Sequence, residues 1–243
     1  MKVVIVKNYQ EASEYAAKEM LAVVKSNPKA VLGLATGSTP VGMYNLMVKD
    51  HKENGTDYSQ VESYNLDEYI NLPANHADQS YRHFMDVNLF DHLNITKANT
   101  HVPEGTGEAQ AACEEYDAKL AAIGGVDIQV LGIGSNGHIA FNEPGVPFEL
   151  GTHIVTLDEQ TREDNARFFD SIDEVPTHAI TMGIKSIKSA KKIILIASGE
   201  NKADAVKGMI EGEVTVELPA SALQDHSNVI VIVDEAAASK LTK

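Results

Sequence analysis

The chain alternates short runs of aliphatic and β-branched residues with segments of helical length, and this alternation constrains its fold more than any other feature. Strands that are joined by a helix-length connection pair in parallel, because the chain has to return across the sheet before the next strand begins. The connecting helices then cover both faces of the sheet. The sequence therefore predicts an α/β fold with a doubly wound, mainly parallel sheet of a modified Rossmann-like type.

Apolar periodicity gives the predicted positions of the elements. Strands are predicted at residues 3–6, 30–35, 61–66, 100–102, 126–133, 152–157, 178–182, 192–197 and 228–233. Helices are predicted from an Asn8 cap to about residue 25, at 40–53, near 78–92, at 108–122, 159–169 and 200–211, and in a short C-terminal segment. No repeat or Pro/Gly-rich linker divides the chain, so residues 1–243 are expected to form one catalytic domain. The pattern weakens after Pro147, which makes residues 147–182 the candidate for a lid.

Composition argues against several classes of protein. A formal net charge of −15 repels phosphate backbones and anionic lipid, so neither nucleic acid nor a membrane is an expected partner. No apolar run approaches the roughly 20 residues that a membrane span requires. The single cysteine, Cys113, cannot form a disulfide within the chain, which fits a reducing compartment. We therefore expect a cytoplasmic protein.

The segment Val126–Pro144 holds the clearest candidate site residues. Its apolar run ends in a glycine loop and leads directly to His138 and Glu143, at the end of a strand where α/β proteins bind ligands. Imidazole titrates near neutral pH and can move protons there, and Glu143 can orient it. The glycines match a dinucleotide fingerprint formally, but Pro144 prevents the helix that should follow. The spacing of acidic residues and histidine matches no zinc signature, so no metal is expected.

A second glycine loop, Thr36–Pro40, lies between a predicted strand and a predicted helix. Gly37, Ser38 and Thr39 offer backbone amides and hydroxyls at the helix start, which is the arrangement that binds a monophosphate. Pro40 is placed for the first helical turn and Thr39 for its cap, so a plain capped turn is the alternative. Lys202 begins a helix at another strand end and could add a positive charge.

A carboxylate pair follows the predicted strand at 61–66. Asp67 at the mouth of a cleft would have an environment-tuned pKa and could act as a general base. A solvated Asp67–Glu68 pair is the alternative. Arg167 lies in the weakly patterned region that is the candidate for the lid.

Together these motifs resemble those of the glucosamine-6-phosphate deaminases, also called isomerases. The matching segments are Leu34–Pro40, Tyr64–Tyr69, Gly134–Pro144 and Asn165–Phe169. The resemblance implies conversion of glucosamine 6-phosphate and water to fructose 6-phosphate and ammonia, in amino sugar catabolism. It implies no cofactor.

The resemblance also implies a role for each candidate residue. His138 would open the sugar ring with the help of Glu143, and Asp67 would carry a proton from C2 to C1. The phosphate would be held by Gly37, Ser38, Thr39, Arg167 and Lys202.

Two positions depart from the family's pattern. Asn136 stands where many members have an aspartate in the ring-opening group, so we expect it to position substrate without carrying protons. Residues 152–155 contain no Lys or Arg, whereas activated oligomeric members have basic residues there. We therefore expect an enzyme that N-acetylglucosamine 6-phosphate does not activate, and a monomer or weak homo-oligomer.

Two alternative functions remain open at this stage. A 6-phosphogluconolactonase-like enzyme would also bind a sugar phosphate, but it needs no enolisation base at Asp67. A sugar-phosphate-sensing domain of a transcription regulator would be expected to carry a helix-turn-helix extension and a basic face. The sequence shows neither of these two features.

Overall fold

The computed structural model describes residues 1–157, 159–166 and 169–242. Its strands are β1 (Lys2–Val6), β2 (Val31–Leu34), β3 (Glu62–Asn65), β4 (Asp67–Tyr69), β5 (Thr100–His101), β6 (Ile128–Leu131), β7 (His153–Thr156), β8 (His178–Thr181), β9 (Ile193–Ala197) and β10 (Val229–Asp234). Its α-helices are α1 (Tyr9–Ser26), α2 (Val41–Asn54), α3 (Tyr81–Asn88), α4 (Ala109–Ala122), α5 (Glu159–Ala166), α6 (Ile184–Lys188) and α7 (Ala203–Glu211). Short 3₁₀ turns link several of them.

Seven strands form the main sheet in the order β1-β10-β9-β6-β2-β3-β5. Every neighbouring pair in this sheet is parallel. All residues of β6, β9 and β10 are buried. Since successive side chains point to opposite faces of a strand, burial of every residue requires cover on both faces. The predicted doubly wound parallel sheet is confirmed.

Helix α1 shows how local sequence sets an element that packs on this sheet. The Asn8 side chain accepts a hydrogen bond from the backbone N–H of Glu11, and the Glu11 carboxylate accepts one from Lys7 N–H, both at 3.0 Å. These bonds satisfy donors that a helix start leaves unpaired, which confirms the predicted Asn8 cap. The buried face then repeats at helical spacing: Ala12, Ala16, Met20 and Val24.

A second, three-stranded antiparallel sheet with the order β4-β8-β7 was not expected from the sequence pattern. It begins one residue after β3 ends, and Leu66 joins the two sheets. The Leu66 N–H donates to Leu34 in the main sheet at 3.1 Å, and the Leu66 carbonyl accepts from Met182 N–H at 2.7 Å. The small sheet therefore stands on the carboxyl edge of the main one.

Two sequence predictions are corrected by the structure. The helix predicted near 78–92 is reduced to α3, because Leu89 takes a non-helical conformation with φ −143° and ends it. The predicted C-terminal helix is absent from the described residues, where 235–240 form turns. The Asp234 carboxylate closes the first of these turns by accepting the Ala237 N–H at 2.8 Å. Helix α6 was not predicted.

Within the described part of the chain, no helix is long and apolar enough to cross a membrane.

Asp117 on α4 attaches the small sheet to the rest of the molecule. Its carboxylate accepts the Thr152 N–H at 2.8 Å, the Thr152 hydroxyl at 2.6 Å and the Ser186 hydroxyl at 2.8 Å. A Cβ on Gly151 would lie 2.1 Å from the same carboxylate, so the close approach requires glycine there. One side chain thus ties α4 to the start of β7 and to α6.

We expect Asp117→Ala to lower the free energy of unfolding by about 2–3 kcal/mol, because it leaves a half-buried N–H and two hydroxyls without their acceptor. Glu114→Ala, at an exposed position on the same helix, is the matched control and should change it by less than about 0.5 kcal/mol. Urea unfolding measures both. Equal losses in the two variants would contradict this role of Asp117.

Candidate active site

Four neighbouring strands of the main sheet, β9, β6, β2 and β3, end at the mouth of one cavity of about 750 Å³. These are the four strands whose carboxyl ends carry the polar motifs of the sequence. Their loops line the cavity with Ala35–Thr39, Leu66, Asp67, Gly132–Ser135, His138 and Lys202. The parallel sheet therefore brings motifs from distant parts of the chain to a single site.

The Thr36–Thr39 loop has the backbone shape of an anion-binding turn. Gly37 lies at φ +82°, a conformation that favours glycine. The Tyr9 hydroxyl lies 3.0 Å from the carbonyl oxygens of both Ser38 and Thr39 and accepts the Gly42 N–H at 2.9 Å. Tyr9 therefore fixes the loop from α1, a contact that the sequence pattern did not indicate.

The start of α2 differs from its prediction. Pro40 occupies the cap position, just before the first helical turn, and no side chain caps the helix. Thr39 lies against Gly132 instead of capping α2, since its hydroxyl is 3.4 Å from where a Gly132 Cβ would be. The Pro40 side chain provides no cap, and the Gly42 N–H at this helix start donates to the Tyr9 hydroxyl instead.

Lys202 supplies the positive charge of the cavity. It ends a short 3₁₀ turn after β9 and is half-buried, and this burial lowers the pKa of its ammonium group. No ion pair to Lys202 is present among the described residues. Since a buried charge without a counter-ion is unfavourable, this position favours an anionic ligand.

Asp67 is the most perturbed acid in the cavity. It begins β4 and is 7 % exposed. Burial, reinforced by the neighbouring charge of Glu68, raises the pKa of Asp67 to about 8. Within the described ranges, no hydrogen bond reaches its carboxylate. A carboxyl group in this state releases its proton near neutral pH and is then a stronger base than an exposed aspartate.

Aromatic side chains form the wall beside Asp67. The rings of Tyr69 and Tyr81 lie 4.7 Å apart, and Tyr81 stacks on Phe141 at 6.2 Å. Phe169, from the region predicted as a lid, contacts Tyr69 edge-on at 6.3 Å. Tyr81 was not singled out in the sequence, because only the fold brings it to the cavity.

His138, Asn136 and Glu143 form one connected group. The Glu143 carboxylate lies 3.2 Å from His138 Nδ1 through one oxygen and accepts the Asn136 amide at 2.7 Å through the other. The Asn136 side-chain oxygen accepts the His138 backbone N–H at 3.1 Å. The sequence-predicted neighbours therefore meet, and Asn136 spans the histidine and the glutamate.

The backbone around His138 is closely packed and locally strained. The imidazole lies directly over Gly134, where a Cβ would be 2.3 Å from the ring. Ala140 takes φ +52°, a strained conformation for a residue with a side chain. Asn142 holds the strained loop in place, since its amide donates to the Met182 carbonyl at 2.8 Å.

Not all predicted site residues are placed. Arg167 lies outside the described residues. One group with metal-ligand chemistry is present in the described ranges, where ligand atoms of His76, Asp170 and Glu174 lie within 4.8 Å of one another. The His76 and Glu174 side chains are already hydrogen-bonded to each other there, and none of the three residues lines the cavity. The cavity itself is built for acid–base chemistry on an anion.

The raised pKa of Asp67 predicts how stability depends on pH. The unfolded aspartate ionises near pH 4, whereas the folded one keeps its proton until about pH 8, so stability falls through this interval. Asp67→Asn carries no such charge. We expect its free energy of unfolding to rise relative to the unmodified protein by up to about 1.4 kcal/mol per pH unit between pH 5 and 8.

Urea unfolding at several pH values measures this difference. Asp204→Asn is the matched control, because the Asp204 side chain is 78 % exposed on α7. If the free energies of unfolding of Asp67→Asn and of the unmodified protein differ by the same amount from pH 5 to 9, Asp67 is ionised throughout that range and the prediction is wrong.

Comparison with known proteins agrees with this geometry. The model of the glucosamine-6-phosphate isomerase/6-phosphogluconolactonase family matches residues 7–232. A glucosamine-6-phosphate deaminase of Clostridium perfringens (strain SM101) is 56 % identical over 99 % of this chain and 100 % of its own. One of Clostridioides difficile (strain 630) is 53 % identical over 99 % and 97 %.

Solved structures give the same result. The structure of a monomeric glucosamine-6-phosphate deaminase superposes with a TM-score of 0.94 at 44 % identity, over 98 % of this chain and 99 % of that one. A 6-phosphogluconolactonase of Trypanosoma brucei shares the fold, with a TM-score of 0.79 at 19 % identity over 99 % and 98 % of the two chains. This chain belongs to the glucosamine-6-phosphate isomerase/6-phosphogluconolactonase family.

Proposed function

We propose that this protein is a glucosamine-6-phosphate deaminase, which converts glucosamine 6-phosphate and water to fructose 6-phosphate and ammonia. The observation that carries the proposal is the buried carboxylate of Asp67, with its pKa of about 8, in the cavity that also holds His138 and Lys202. An aldose-to-ketose conversion needs a base of this kind, whereas hydrolysis of a lactone does not.

The phosphate of the substrate would bind at one end of the cavity. The ammonium of Lys202, which has no ion-pair partner in the described part of the chain, lines this cavity together with Gly37, Ser38 and Thr39, whose amides and hydroxyls suit an anion. Arg167 belongs to this set by its place in the sequence motif. Holding the phosphate positions the sugar for the two acid–base groups, which supplies much of the rate in such reactions.

Ring opening would be the task of His138. Its imidazole accepts the proton of the C1 hydroxyl and returns a proton to the ring oxygen, so that the open-chain aldehyde forms. Glu143, 3.2 Å from Nδ1, orients the ring and balances its charge when it is protonated. The amide of Asn136 does not ionise, so its part is to hold Glu143 in place.

Isomerisation would follow at Asp67. The ionised carboxylate removes the proton from C2 and delivers it to C1. The C1 oxygen gains a proton and the C2 amino group loses one, so the aldehyde becomes a C1 hydroxymethyl group beside a C2 imine. Water then adds at C2 and ammonia leaves. The lid candidate at 147–182 includes β7 and β8, which belong to the small sheet with Asp67. The part that would cover this chemistry is therefore the connection between these two strands, with Phe169 as its contact to the wall at Tyr69.

The charge and the composition of the chain support a compartment and a set of partners for the enzyme. A net charge of −15 and a single, buried Cys113 support a cytoplasmic enzyme that binds neither nucleic acid nor membranes. We propose that it works as a monomer or weak homo-oligomer.

An ammonia-release assay with glucosamine 6-phosphate tests the proposed activity. We expect turnover by the unmodified protein and a fall in kcat of about 10²–10⁴ in Asp67→Asn, because the base for isomerisation is lost. Asp204→Asn should keep full activity. Hydrolysis of 6-phosphogluconolactone without ammonia release from the amino sugar would favour the lactonase function instead.

We expect N-acetylglucosamine 6-phosphate not to activate the enzyme, and the rate curve to be hyperbolic without it. Residues 152–155 contain no cation, and the Thr152 hydroxyl is already bonded to Asp117. Initial rates with and without this compound, and light scattering for the mass, check the expectation. A sigmoidal curve that the compound makes hyperbolic would contradict it.

A further inference from the structure

A second buried carboxylate, Glu68, lies directly behind Asp67 and has no part in the mechanism above. Glu68 is 7 % exposed, as is Asp67. Successive residues of a strand point to opposite faces, and accordingly Glu68 does not line the reaction cavity. It lines a separate cavity of about 430 Å³ on the other side of β4.

The Glu68 carboxylate is held by three backbone donors. One oxygen accepts the N–H of Tyr69 at 2.9 Å and that of Tyr81 at 3.0 Å, and the other accepts the N–H of Arg82 at 2.9 Å. Tyr81 and Arg82 open α3, so the carboxylate faces the positive end of that helix. Burial raises the pKa of Glu68, but these three N–H groups stabilise its charged form.

The surroundings of Asp67 therefore favour its protonated form, whereas the hydrogen bonds of Glu68 favour its charged form. Asp67 is buried without a hydrogen-bond donor in the described part of the chain, whereas Glu68 has three. When the pair binds one proton, that proton belongs on Asp67, and the negative charge stays on Glu68. The charge of Glu68 in turn makes Asp67 harder to ionise.

We propose that Glu68 is a positioning residue for the isomerisation, acting on Asp67 through its fixed negative charge and on Tyr81 through the start of α3. The proposal rests on the proposed function. By binding β4 and α3 together, Glu68 keeps Asp67 and the aromatic wall of Tyr69 and Tyr81 in one arrangement. By its charge, it makes the ionised Asp67 a stronger base.

Other titratable groups lie around this pair, and none of them is substituted in the test. Those with an electrostatic effect on Asp67 or a place in its cavity are, among the described residues, Tyr69, Asp78, Tyr81, His83, Tyr116, His138 and Lys202. Those around Glu68 in the second cavity are Arg82, His101 and Glu104.

Glu68→Gln removes the charge and keeps most of the hydrogen bonds. Its side-chain oxygen can still accept from Tyr69 and Tyr81, and only the bond from Arg82 is lost. We expect the acidic limb of the kcat–pH profile to move to lower pH by about one unit, because Asp67 then ionises more easily. We also expect kcat on the plateau to fall roughly tenfold, since the base is weaker, with KM unchanged because the phosphate loop is untouched.

Glu62→Gln is the matched control. Glu62 lies on the neighbouring strand β3, half-buried and paired with His101 at 2.9 Å, and it does not line the reaction cavity. Its profile should coincide with that of the unmodified enzyme. An acidic limb that Glu68→Gln leaves in place, or moves to higher pH, would overturn the proposal.

Carboxyl carbon NMR of the free enzyme tests the same coupling without turnover and without a variant. We expect Asp67 to titrate near pH 8 while Glu68 stays ionised through that range. A Glu68 signal that holds the proton while Asp67 is ionised would overturn the proposal. Absence of ammonia release together with the expected titration would reject the proposed function and leave the coupling of the two carboxylates established.

Discussion

The junction at Leu66 is the constraint on which the site depends. Its N–H belongs to the hydrogen bonding of the parallel sheet, and its carbonyl belongs to that of the antiparallel one. Because the chain changes sheets within this residue, Asp67 emerges at the carboxyl edge with both its neighbours fixed by main-chain bonds. A carboxylate can be kept buried and unbonded only where the backbone leaves it no alternative, and two sheets meeting at one residue provide that rigidity.

Burial also determines how the charged groups of the cavity behave. Among the described residues, Lys202 is half-buried without an anion, and Asp67 is buried without a cation. Were these two groups side by side, they would neutralise each other and neither would be available to a ligand. The width of the sheet separates them, since Lys202 follows β9 and Asp67 follows β3, with β6 and β2 between.

Sequence reasoning predicted the parallel sheet and its four functional strand ends, because long apolar runs and glycine loops are strong local signals. It did not predict β4, because a three-residue strand that contains two carboxylates carries no apolar pattern. Tyr9 and Tyr81 were missed for a related reason. Tyr9 contacts a loop about thirty residues away in the sequence, and such a contact gives no signal in the local sequence pattern. Arg167 remains a prediction.

Strand β8 contacts Asp67 and the loop that follows His138. Thr181 pairs with Asp67 across the small sheet, and its hydroxyl accepts the Phe141 N–H from the loop of His138 at 3.1 Å. Asp67 and the loop of His138 are therefore both bonded to the small sheet, whereas the phosphate loop at Gly37 follows a strand of the main sheet. Displacing either Asp67 or the loop of His138 would therefore disturb the same residue, Thr181. The spacing of the base from the ring-opening group is set by one strand, whereas its distance from the phosphate loop is set by the junction between the two sheets.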